Sequence, residues 1–463
     1  MSDIPDPDAL LRAERAAISA LPRDKDGLVP DTYDRLHGIA FLRAARPAPQ
    51  ISDPRTRLYL ALYQSQTVAL YNIANLFARC SRRLASHEKD RIDVVSHHLR
   101  WAFSIAKLAY DFAHASQSIV SDVSSDMLVS KPCRAQLAAL EALHDLDTAL
   151  TSYISRNEAA VSASIEHDYL LSGASVLAHA FKSISYLLRT MNSAISKSPR
   201  EELLRSDILR DGVQSLDSET DTYLMQFRLL HQIPEILSIE AVPLLEDATL
   251  ALKKNKTRNA AGRLSLVNIC LAHIRNSLWP LIELMYPSEY YYVRVHLGRT
   301  SGSSSVELGH NLLRSAYVTF ANQYVDWAKS NPPANSARSA LSEQVMLLQE
   351  NIYQWREMHL MLPRNVLGED VTSLIGTRNS LQTVLAMKTA FESDDPLRAS
   401  QRKRGAKPVV DTAPRGLSYF LADQSFCKIT GAISKRKFPD VESRSGIFAP
   451  KATRSESSRK RRK

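Results

Sequence analysis

Apolar residues recur at helical spacing along most of this chain, and the pattern breaks at prolines and polar runs. Residues 1–50 read as a short helix followed by an arm spaced by Pro22, Pro30, Pro47 and Pro49. Helices are expected over Arg57–Arg83, Arg91–Ser116, Ala135–Asn157 and Ser162–Ser196, with Lys131-Pro132 as a break. Ser198–Ser218 is polar and reads as a linker with a short helix. Thr222–Ile233 is apolar and aromatic, and Pro234 should break or kink it. Ala241–Lys253, Leu264–Met285, Val306–Ser330, Ser339–Leu362 and Leu374–Phe391 complete the set. The fold class is therefore all-α, a helical bundle with an additional N-terminal helical bundle. Its segments are an arm at 1–50, a bundle at 51–200, a linker at 201–218, a second helical domain at 219–393 and a tail at 394–463.

The two halves carry similar helices in a similar order. Arg57–Arg83 matches Thr222–Leu250, Arg91–Phe112 matches Arg263–Leu284, and Ser162–Met191 matches Ser342–Asn365. Identities are few, so a diverged internal repeat and two unrelated bundles both fit.

Composition bounds the class. The chain has 463 residues, 44% hydrophobic and 23% charged, which suits a globular protein with a sizeable core. The N-terminus is acidic and amphipathic, unlike a signal peptide, and no apolar run is long enough for a membrane helix. Cys80, Cys133, Cys270 and Cys427 are scattered, as free thiols of a reducing cytosol would be. The net charge of +10 is uneven: Arg398–Lys463 carries 18 Lys/Arg and 5 Asp/Glu. The preceding chain is close to neutral, which argues against a nucleic-acid-binding body. The Asp394–Arg415 stretch should be disordered, Arg415–Ile433 is apolar enough to dock, and the basic end could touch polyanions.

Candidate chemistry centres on Ile352–Gly368, IYQWREMHLMLPRNVLG. Trp355 lies one helical turn before His359, Arg356 between them, and Arg364 and Gly368 follow. A neutral imidazole in an apolar wall with arginines near is what a haem iron and its propionates require. A satisfied core or surface histidine is the plainer alternative. Two further stretches precede it: His231-Gln232-Ile233-Pro234-Glu235, and Arg294 followed by the Ser301–Ser305 small-residue loop. His231 could equally be a buried helix-end histidine, and the loop a plain N-cap before Val306.

This ordered set resembles the tryptophan 2,3-dioxygenase superfamily, the histidine-ligated haem-dependent aromatic oxygenases, over about 220–392. Those enzymes carry an HQxxE segment, an arginine, a Ser-Gly loop and a WRxxH-type helix with a glycine nine residues on. The resemblance implies a haem-binding domain at 219–393, haem b as cofactor, and dioxygen or peroxide as oxidant. It implies His359 as iron ligand, His231 as distal catalytic residue, and Trp355, Arg356, Arg364 and Arg294 around the cofactor. It implies Ser301, Gly302, Ser303 and Thr377 near the substrate.

Departures redirect the substrate. The family's carboxylate-clamping arginine, seven residues after the loop glycine, falls on Gly309, followed by His310. The closing loop is eroded to Gly376-Thr377-Arg378-Asn379-Ser380. Free L-tryptophan is therefore not the expected substrate; a modified, decarboxylated or peptide-borne indole, or another aromatic, suits the loss. The first half lacks the set and is expected to hold no haem, standing instead for a partner subunit in cis, so that fewer subunits are needed and self-association as a dimer is possible. The alternative is a non-catalytic helical interaction protein derived from the same fold. GxSxG, P-loop, GxGxxG and HExxH patterns are absent, and nothing beside His97-His98 completes a metal site.

Overall fold

The computed structural model describes residues 39–46, 51–86, 92–161, 167–194, 197–214, 222–286, 289–290, 293, 309–331, 336–362 and 380–403. All lie within one compact unit, Met1–Asp411. The fold is all-α. The helices are α1 (Ile39–Ala44), α2 (Pro54–Ala85), α3 (Ile92–Ile119), α4 (Arg134–Val161), α5 (His167–Ala194), α6 (Glu201–Leu204) and α7 (Ser206–Gln214). They continue as α8 (Thr222–Lys253), α9 (Thr257–Asn276), α10 (Trp279–Leu284), α11 (Gly309–Ser330), α12 (Ser336–Leu362), α13 (Ser380–Asp394) and α14 (Pro396–Lys403). Among the described residues the sheet structure is one antiparallel pair, Leu128–Val129 with Ser198–Pro199. No helix of the described residues is long and apolar enough to cross a membrane.

Helix α2 is the centre of the first half. Asp53 caps it, accepting from the Thr56 amide at 2.8 Å, and Pro54 opens its first turn. Every residue from Leu58 to Ile73 is buried, so α2 is enclosed on all faces. It packs on α3, α4 and α7, while α3 packs on α5. Helix α8 takes the same place in the second half, packing on α9 and α11, while α9 packs on α12. The order of packing is thus the same in both halves. The central helices α2 and α8 pack on each other. Arg57 grips the buried Glu240 there in a two-pronged pair, at 2.9 and 3.0 Å, with Arg46 adding a contact at 3.3 Å.

Three elements differ from the periodicity reading. Pro234 does not end its helix; α8 runs 32 residues through both Pro234 and Pro243. A mid-helix proline costs ~3 kcal/mol. Packing of α8 against α2, α9 and α11 offsets that cost. The single helix expected at Leu264–Met285 is instead α9 and α10, separated at Ser277–Leu278 with Pro280 in the new first turn. The stretch from Asp394, expected to be disordered, buries Asp395 and Leu397 and forms α14. Asp395 is 1% exposed and caps α14 through the Leu397 amide at 3.0 Å. Within the expected linker, α6 and α7 form, and α7 packs on α1 and α2. At Gly212 a Cβ would stand 2.9 Å from the Phe41 Cβ, so this close approach requires glycine.

Candidate functional site

Helix α12 forms because Leu, Met, Gln and Glu dominate Ser336–Leu362, with no glycine or proline inside. It is described to Leu362, the residue before Pro363, where the helical region becomes unfavourable. Polar contacts on two faces fix its rotation. Toward α9, Asn268 donates to the Gln344 carbonyl at 3.1 Å and side chain at 3.0 Å. Arg275 also donates to Asn351 at 3.4 Å and to Gln354. On the opposite face, Gln349 and Tyr353 donate to the buried Asp395 carboxylate at 3.1 and 2.8 Å.

Trp355 and His359 lie on a flank of α12 between those faces. Both are half-buried, and their rings stack 5.5 Å apart, 7° from parallel. One helical turn and χ preferences bring such pairs together, and the stack fixes the imidazole plane. Arg356 stands beside them. Its guanidinium lies 3.6 Å from the centre of the Phe391 ring and 5.9 Å from that of Trp355. Among the described residues no side chain hydrogen-bonds or ion-pairs with it, and its Nε is buried without a partner. Burial, and secondly the nearby Arg314, push its pKa down to about 10.

His231 belongs to α8, a separate helix that shares α9 with α12 as a packing partner. Its Nδ1 lies 2.7 Å from the Phe227 carbonyl oxygen, and its ring stands 4.2 Å from that of Phe227. A carbonyl only accepts, so Nδ1 donates, and when the ring is neutral its lone pair is on Nε2. Tyr290 meets Phe227 edge-on at 5.8 Å and extends this aromatic wall. One turn beyond His231, the buried Glu235 accepts the Gly309 amide at 2.7 Å, at the start of α11. A Cβ at Gly309 would lie 2.8 Å from the Ser238 Cβ and 3.3 Å from the Ile239 amide nitrogen. No side chain fits there, and an arginine clamp at this position is sterically excluded.

The structure thus brings Trp355, Arg356 and His359 together and places His231 on α8. Arg294, Ser301, Gly302, Ser303, Arg364 and Thr377 lie outside the described residues, as do His310's side chain, Gly368 and Cys427. Sequence reasoning did not find Phe391 or Arg314, which complete the surroundings of Arg356, or Asp395, which accepts from Gln349 and Tyr353 of α12. They sit on α13, on α11 and between α13 and α14, and no spacing in the chain joins them to α12.

The His97-His98 pair is buried in the core. His97 Nε2 lies 2.8 Å from a Glu289 carboxylate oxygen and 3.1 Å from Trp101 Nε1. The nitrogen carries either a proton for Glu289 or a lone pair for Trp101, so the two contacts compete. Among the described residues no group of three or more His, Cys, Asp or Glu could hold a metal ion. Cys80, Cys133 and Cys270 are buried free thiols. Scans against family models, curated proteins and solved structures find no match to this chain.

Proposed function

We propose that the chain is a haem-dependent oxygenase acting on an indole or other aromatic substrate, a divergent relative of the tryptophan 2,3-dioxygenases. The observation that carries this reading is the Trp355–Arg356–His359 constellation on α12. The donor set fits haem b. A half-buried imidazole held in one plane by an indole would suit an iron ligand, and the guanidinium beside it would suit a propionate carboxylate. When bound, the haem would supply the binding and activation of dioxygen or peroxide.

The chain's own residues then have distinct tasks. His359 would hold the iron, with Trp355 keeping its ring from rotating. His231, with its lone pair on Nε2, would accept a hydrogen bond from an indole N–H or a phenol O–H and orient the ring. Phe227 and Tyr290 would exclude water behind it. With no room for an arginine at Gly309, nothing there clamps a free α-carboxylate. A substrate whose carboxylate is removed or masked fits this arrangement.

A second reading, a non-catalytic helical interaction protein, is favoured by the outer face of α5. Tyr186 is 70% exposed there, beside Phe181, Lys182 and Arg189. An absorption spectrum of protein expressed with haem supply separates the readings. A Soret band in the parent, lost or shifted in His359→Ala, is the expected result. Absence of any band after reconstitution would leave the interaction protein.

A further inference from the structure

We propose that Arg314 and Arg356 form an oxyanion site beside Phe391, taking the carboxylate or phosphate group of a small ligand. The two guanidiniums come from different helices, α11 and α12, and converge on one ring of α13. Arg356 lies 3.6 Å and Arg314 5.9 Å from its centre. Among the described residues neither has a hydrogen-bond or ion-pair partner. Arg356 is partly buried, which removes some of the water that would screen its charge, so a second cation beside it favours an added counter-ion.

The neighbouring carboxylates are committed elsewhere. Glu392 holds Lys388 at 3.5 Å and Arg398 at 2.5 Å, and Glu357 holds Lys388 as well. Asp395 accepts from Tyr317, Gln349, Tyr353 and the Leu397 amide. The Phe391 face attracts both cations but neutralises neither. Each guanidinium therefore keeps planar N–H donors, the geometry that an oxyanion meets in two-pronged fashion. Arg356 is sunk beside the ring while Arg314 is exposed, so the site is open to solvent on the α11 side.

The site shares Arg356 with the haem reading but requires no iron, and its test uses the full chain without haem. Inorganic phosphate and acetate are the two probes, titrated calorimetrically at constant ionic strength. Saturable binding by the parent is expected, with about tenfold weaker binding in both Arg314→Gln and Arg356→Gln. Lys329→Gln, which removes an exposed cation of the same helix α11, should bind as the parent does. The tighter of the two probes tells whether a phosphate or a carboxylate is the natural group. No saturable binding by the parent, or unchanged binding in Arg314→Gln, overturns the proposal; Arg314 is exposed, so that variant folds whatever becomes of Arg356. Anion binding without a Soret band would remove the haem reading alone, and a Soret band without anion binding would remove this site alone.

Discussion

Single buried titratable groups set how this protein responds to acid. His98 is 1% exposed, and neither ring nitrogen has a hydrogen-bond partner among the described residues. Burial pushes its pKa down to about 3, and that of His273 to about 4. The unfolded chain protonates both near 6.5, so below that pH it binds more protons than the folded one. Stability therefore falls as pH drops, by about 1.4 kcal/mol per pH unit for each histidine, until the folded pKa is reached. Asp111 acts in the opposite sense: burial raises its pKa from 3.8 to about 6, so it offsets one histidine between those values. Denaturant melts between pH 4 and 7 should show this slope, and His98→Leu should flatten it by roughly one proton's worth. An unchanged slope would mean that His98 already carries its proton in the fold.

At the scale of elements, close contacts decide where helices can sit. Helix α11 meets α8 at Gly309, whose amide binds Glu235 and whose missing Cβ makes room for Ser238. Gly309→Ala should destabilise the fold by about 1–3 kcal/mol through overpacking against side chain and backbone together. Equilibrium unfolding in urea measures this, and a neutral result would show that α11 can move outward. The helix pattern was largely legible from periodicity, including α2, α3, α11 and α12 to within a few residues at most ends. The continuity of α8 was not, since Pro234 is a breaker by local rules and only its packing overrides them. Nor was α14, whose sequence PLRASQRK is polar and basic. Its order comes from Asp395, which the chain's own composition gave no reason to bury.

For the whole molecule, the α2–α8 contact joins the two halves, and its polar centre is Arg57 with Glu240. Glu240 is 3% exposed, so removing Arg57 leaves a buried carboxylate held only by the half-exposed Arg46 at 3.3 Å. Arg57→Met should cost about 3–5 kcal/mol, and the double variant Arg57→Met/Glu240→Leu clearly less, because the cost lies in the stranded charge. A double-mutant cycle on urea midpoints reads this coupling. Additive effects would show that the pair does not hold the halves together.

The sequence by itself determined the helical class, the positions of most helices and the one-turn spacing that stacks Trp355 on His359. These are properties of neighbouring residues, and a helix's 3.6-residue period expresses them without help from the rest of the chain. That position 309 is a glycine was also legible, but not the reason for it. Only the tertiary structure decided that Ser238 and Glu235 fill that space, that Asp395 is core and that Arg314 and Arg356 share one ring. Those relations join residues of different helices, far outside one helical turn, and no local pattern encodes which charges will meet when α11, α12 and α13 pack.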